Sequence, residues 1–160
     1  MIVSLRLFLV GAALALVLQP APPGFVMWSA SELEQRDAAL SARVGADHSA
    51  RETLAEYGNP SGAHRFRFIH RDADGAPEQH EQIEDVVFIQ SGAGTLQVGG
   101  DLVDRTGNDG EYTGTGIAGG VRYRVGPGDV IHIPADTPHR YLLGEGGHIT
   151  YVLVRLPALV

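Results

Sequence analysis

The chain contains neither cysteine nor lysine; all 12 of its basic residues are arginine. Without cysteine there are no thiolate nucleophiles, disulfides, cysteine zinc sites or iron–sulfur clusters, and no lipid anchor on an N-terminal cysteine. Without lysine there is no Schiff-base chemistry through that side chain. Any metal must be held by His, Asp and Glu. Positive charge is also scarce, at 12 basic against 19 acidic residues and a net charge of -7. That balance argues against nucleic acid as a partner, because phosphate-backbone binding needs a basic face. A Gly-X-Ser-X-Gly elbow, a phosphate-binding loop and a dinucleotide fingerprint are all missing. The run Gly114-Thr115-Gly116-Ile117-Ala118-Gly119 has suggestive glycine spacing but no strand-to-helix setting, and reads as a loop.

What is present fits one domain with a short extension, since the chain has 160 residues and 44% hydrophobic content. The 21 glycines and nine prolines imply frequent turns and lean toward an all-β fold. One long apolar run exists, Leu7 to Leu18, preceded by Arg6 and followed by the Pro-rich segment 19–24. This pattern predicts a secretory signal over residues 1–21 and a periplasmic or secreted protein. The alternative is an uncleaved anchor, the one circumstance in which a membrane would be a partner, although the run is short for a span.

Residues 22–62 read as an N-terminal arm. Ser29 followed three residues later by Glu32 is a capping box, and Leu33, Leu40 and Val44 recur at helical spacing, which predicts a helix over 30–44. Residues 45–62 are polar and mixed, with a turn at 58–62. From His64 the period falls to two, with Phe66 and Phe68 alternating with Arg65 and Arg67. Val86 to Ile89 is a strand, with Thr95 to Val98 expected as its hairpin partner. Residues 104–120 read as a long connection, and strands are expected at 121–125, 130–133, 141–143 and 148–156. Eight or so short strands suggest a sandwich or barrel over 63–157.

Chemistry concentrates in two segments, residues 78–92 and 126–139. Glu78 and His80 stand two apart, so on an extended strand they share a face. Asp85 belongs to the next strand, and His139 follows Pro138 in a distant segment. Such residues meet only if the sheet curls on itself, as in a closed barrel.

These segments resemble the two motifs of the cupin superfamily. His80, Asp85 and Gly92 keep the spacing of the first motif's second histidine, glutamate and glycine, with Glu78 where the first histidine stands. Pro134, Asp136 and His139 keep the spacing of the second motif, with Asp136 replacing its glycine. The resemblance covers residues 63–156 and implies a jelly-roll barrel whose interior metal is held by Glu78, His80, Asp85 and His139. The whole chain is also similar to small exported bacterial cupins of unassigned activity, through Pro23-Gly24-Phe25, His70-Arg71, the Glu78–His80–Asp85 set and Gly99-Gly100. Glu111 matches the same group without an assignable role.

Two histidines and two carboxylates would leave a dication near zero net charge, a weaker Lewis acid, and their hard oxygen ligands favour manganese, iron(II) or zinc over copper(I). If three of the four bind, the set resembles that of non-haem iron oxygenases. His70 shares a face with Phe66 and Phe68 and is a candidate acid–base group at the barrel mouth, or a strand-end histidine in water. His132 reads as a rim residue, and Glu81 and Glu84 as surface charges. The resemblance therefore implies a metal-dependent enzyme on a small molecule, of dioxygenase, isomerase or lyase class. The alternative is a non-catalytic module binding a sugar or acid, with a structural metal or none. A homodimer is implied by the family and by the need to cover sheet edges.

Overall fold

The computed structural model describes residues 21–58 and 63–158. The expected signal segment lies outside them except for Ala21, and the expected turn at 58–62 except for Gly58. Among the described residues no helix is long and apolar enough to cross a membrane.

One helix, α1 (Ala30–Ser41), precedes thirteen strands: β1 (Ser49–Tyr57), β2 (His64–Arg71), β3 (Glu78–His80), β4 (Ile83–Gly92), β5 (Gly94–Val98), β6 (Asp101–Val103), β7 (Thr106–Asn108), β8 (Glu111–Thr113), β9 (Gly116–Ala118), β10 (Val121–Val125), β11 (Val130–Ile133), β12 (His139–Leu142) and β13 (Ile149–Pro157). They form a five-stranded sheet β1-β2-β13-β4-β11, a six-stranded sheet β10-β5-β12-β3-β8-β7 and a small β6-β9 ribbon. Every pairing is antiparallel.

The two large sheets face each other over one core. Ile69, Val87, Ile89, Tyr151 and Leu153 from the first meet Leu96, Val125 and Tyr141 from the second. The other face of the five-stranded sheet is covered by α1, where Leu40 packs on Ala50, Phe68, Val152 and Val154. The period-two rule therefore sorts β2 into two sets. Arg67, Ile69 and Arg71 look into the interior, and Phe66, Phe68 and His70 look toward the helix.

Several expectations need correction. The helix ends at Ser41, three residues early, although Val44 still packs on the same cluster. Ser29 caps it by accepting from Glu32 N–H at 3.2 Å, but the Glu32 carboxylate binds Arg36 one turn on. Residues 45–62 hold a nine-residue strand, β1, whose Ala- and Glu-containing sequence carries little strand propensity and is drawn out by pairing along β2. Residues 104–120 contain β7, β8 and β9 rather than a bare connection. β4 and β5 are not hairpin partners: at Gly92, with φ +69°, the chain leaves one sheet for the other, and a Cβ there would collide with the His148 carbonyl.

Candidate metal centre between the two sheets

Register builds the site. On the six-stranded sheet Glu78 lies between His139 of β12 and Thr113 of β8, while His80 lies opposite Glu111 of β8. On the five-stranded sheet Asp85 lies between Ile133 of β11 and Arg155 of β13. The turn at Glu81-Gln82 carries the chain from β3 to β4, and so from one sheet to the other. His80 and Asp85, five residues apart, thus face each other across the interior. His139 enters from the turn Pro134–Pro138. There Asp136 takes φ +59°, the left-handed conformation, so aspartate does the backbone work of the motif's glycine. Its amide donates to the His80 carbonyl at 2.7 Å, and its carboxylate accepts from Gln79 at 2.6 Å, which ties the two motif segments together.

His80, Asp85 and His139 are all buried, and one donor atom from each lies within 4.8 Å of the others. Asp85 Oδ2 stands 3.9 Å from His80 Nε2 and 3.7 Å from His139 Nε2. Donors each about 2.1 Å from a common ion would stand roughly 3–3.5 Å apart, so the three are nearly in place. Both rings are oriented from behind. His80 Nδ1 donates to Glu111 Oε2 at 2.7 Å and His139 Nδ1 donates to the Thr137 carbonyl at 2.9 Å. Each bond puts the proton on Nδ1 and leaves the Nε2 lone pair aimed inward, the arrangement found around metal-ligating histidines. Burial pushes the His139 pKa down, which keeps the ring neutral. Asp85 Oδ1 is buried with no hydrogen-bond partner among the described residues, an orphaned acceptor that a cation would satisfy. The donor set fits a divalent metal.

A protein cation already approaches the same atoms. Arg155 Nη2 donates to His80 Nε2 at 2.8 Å, and Arg155 Nε stands 3.4 Å from Asp85 Oδ1 without a hydrogen bond. Glu78 comes to 3.6 Å from His80 Nε2, yet it stands outside the three-donor cluster. Its carboxylate is shared between Arg71 at 3.3 Å and Arg155 at 3.9 Å. Burial raises the Glu78 pKa, but the positive charge around it, that of Arg71 first, outweighs burial and the carboxyl ends below its usual range. Arg71, also bonded to the Tyr151 hydroxyl at 3.0 Å, is pushed above its ordinary value by Tyr151 and Glu78.

His70 is not at a barrel mouth and not in water. It lies on the helix-covered face of β2, 5% exposed, and its Nδ1 donates to Asp37 of α1 at 2.8 Å. Asp37 also accepts from Ser91 at 2.6 Å and from Thr150 at 2.7 Å, so this cluster fastens the helix to the sheet. Period-two reasoning placed His70 with Phe66 and Phe68 correctly; it could not say which face was covered. Burial pushes the Asp37 carboxyl up, but the bonds from Ser91, Thr150 and His70 prevail and hold it below the usual range. Its contribution is therefore complete above about pH 4 and is lost as pH falls through the lowered value. Asp37→Asn should cost about 1–3 kcal/mol at neutral pH and flatten the acid limb of the stability profile. Urea unfolding at pH 7 and pH 3 checks both.

His132 is exposed and pairs with Glu84 at 3.1 Å, and Glu81 is exposed beside Arg105 at 2.8 Å. Sequence reasoning missed Glu111 as the His80 orienter, and Arg155 altogether. Arg155 had left a trace: in Tyr151-Val152-Leu153-Val154-Arg155 it is the lone charge in an apolar strand, in phase with the inward residues.

No protein-family model matches the chain, and no curated protein matches it in sequence. Solved structures do. The chain is similar to the TT1209 protein of Thermus thermophilus (14% identity, TM-score 0.52, covering 79% of this chain and 95% of that one). It is similar to NMB1881 of Neisseria meningitidis (17% identity, TM-score 0.50, covering 78% and 95%). It is also similar to the cupin domain of Cnp3 from Schizosaccharomyces pombe (7% identity, TM-score 0.50, covering 69% and 65%). At these identities the likeness concerns the fold, and the fold is that of a cupin.

Proposed function

We propose that this chain is an exported metal-dependent enzyme acting on a small molecule between its sheets, with a divalent ion on His80, Asp85 and His139. The observation that carries the reading is the pair of inward Nε2 lone pairs, each set by a bond at Nδ1, around a buried carboxylate with one unsatisfied oxygen. Glu78, engaged by two arginines, stands beside the ion rather than on it. Two histidines and one carboxylate leave a dication at net +1 with open positions, a set that suits iron(II) or manganese, with zinc the third choice. Such an ion supplies Lewis-acid polarisation of a substrate oxygen, or dioxygen chemistry if it is iron. Dioxygenase, isomerase and lyase classes all accord with this. Arg155 against His80 Nε2 favours a second reading, a binding module whose own guanidinium replaces the metal.

One experiment separates them. The protein is stripped with chelator, reloaded with manganese, iron(II) or zinc, and assayed for ions per chain, oxygen uptake and turnover of carbonyl compounds. One ion per chain with turnover is expected. A loaded protein that binds compounds and never converts one sinks the enzyme reading, and no stoichiometric ion sinks the metal. Glu111→Gln should weaken metal binding about 10–100-fold, as loss of a histidine-orienting partner does; competition with a chelating dye measures it.

Export and pairing belong to the same proposal. The mass of the mature protein tests the signal. Val121 and Tyr123 on edge strand β10, and Val130 on edge strand β11, are more than half exposed, which supports a homodimer. Sedimentation tests that.

A further inference from the structure

The cavity beside the candidate metal centre reverses the sign of the chain. Overall charge is -7, yet Arg51, Arg67, Arg71, Arg140 and Arg155 line this one space against only Glu78 and Asp85. Most of these arginines are occupied: Arg51 by Asp47, Arg71 by Glu78, and Arg140 by Gln97. Arg67 is not. It projects inward from β2, half-buried, with no carboxylate or hydrogen-bond partner among the described residues. Burial, and then the charges of Arg155, Arg65 and Arg51, push its pKa down. Two further donors are idle in the same space. The Tyr141 hydroxyl and Arg155 Nε are buried, and neither has a hydrogen-bond partner among the described residues. An unmatched cation and two unmatched donors around one void describe the negative of an oxyanion.

From this we infer that the cavity binds a small carboxylic acid, its carboxylate held by Arg67 with the Tyr141 hydroxyl, beside Asp85 and His139. The inference rests on the proposed function for the site of action and adds the class of the small molecule. A single-charged carboxylate suits better than a phosphate because Glu78 and Asp85 already place two negative charges on the same wall. Size agrees: about 40 Å³ is free, enough for a few waters or the head of a small acid. Arg67 and Tyr141 are binding residues here, and no bond is made or broken by the binding itself.

Calorimetric titration of propionate into metal-free and manganese-loaded protein tests this, with propionamide and inorganic phosphate in parallel. Propionate should bind both forms, and propionamide at least about tenfold more weakly, because loss of a charge-assisted bond is worth that much. Arg67→Gln should weaken propionate about tenfold or more while ions per chain stay unchanged, and Arg67→Lys should restore part of the loss. Should Arg67→Gln fail to fold, Tyr141→Phe, which removes one oxygen, carries the same test. Equal binding of amide and acid, tighter binding of phosphate, or indifference to Arg67→Gln and Tyr141→Phe would overturn the inference. Propionate binding that survives in a protein unable to hold manganese supports the ligand class and strikes only the metal reading.

Discussion

The double variant His80→Ala/His139→Ala is expected to hold no stoichiometric metal and still to fold. Both imidazoles present Nε2 to the same carboxylate, so their removal leaves Asp85 as the only donor of the cluster and no chelate. The fold should survive because apolar packing and backbone ladders hold the sheets, and the His80–Arg155 bond is a single addition across them. The apolar interior is built by Ile69, Val87, Leu96, Tyr151, Leu153 and their neighbours, and the β4–β13 and β2–β13 ladders are backbone. What each substitution removes is a bond from Nδ1 and some packing, and at His80 also the bond that Nε2 accepts from Arg155. The Glu111 carboxylate is half exposed and is taken up by water, so a cost of about 1–3 kcal/mol per site is expected. His132→Ala serves as the control, because that exposed ring has Glu84 as its one polar partner among the described residues and its loss should leave metal content unchanged. Elemental analysis gives the ion count and circular dichroism the β content. A stoichiometric ion retained by the double variant would refute the assignment.

How much of this centre was legible depended on distance along the chain. His80 and Asp85 lie in one short segment, and their spacing survives as a local turn between two strands, so the pattern could be read directly. His139 was legible because the Pro134–Pro138 turn that aims it is also local, and Asp136 could stand for a glycine because aspartate tolerates a positive φ. Arg155 is 70 residues from Asp85 and reaches it only through the register of β13 against β4, which no local signal sets. Glu111 sits on a three-residue strand in a glycine- and threonine-rich stretch, where periodicity has nothing to count. The same limit explains β1 and the β4–β5 misreading. Pairing partners are chosen by the whole sheet, and a glycine that ends a strand looks the same whether the chain turns back or crosses over.

The second large effect concerns Arg155, which both neutralises the carboxylates and obstructs the donors. Its guanidinium bonds His80 Nε2 at 2.8 Å and lies near Asp85, Glu78 and Glu111, at 3.4, 3.9 and 4.0 Å. A dication on His80 must first displace that hydrogen bond, and it is then repelled by the arginine. At an effective dielectric of about 20, two unit charges 4 Å apart interact by about 4 kcal/mol, and a dication doubles this as an upper bound before the side chain swings away. Arg155→Met should therefore bind manganese or zinc at least about tenfold more tightly than the parent. In the metal-free state the same change strands Asp85 in the interior, while Glu78 keeps Arg71, at a cost of about 3–5 kcal/mol, since removing one member of a buried pair leaves the other charge uncompensated. The two effects have opposite signs and one remedy. The variant should unfold at lower temperature than the parent when stripped, and added metal should stabilise it by more than it stabilises the parent, as expected when an ion binds only the folded state. Thermal unfolding of both proteins, with chelator and with a series of manganese concentrations, measures the whole cycle. Tighter binding in the variant would make Arg155 the resident competitor of the ion; weaker binding would mean that the arginine orders the site for metal, and this account of the competition would fall.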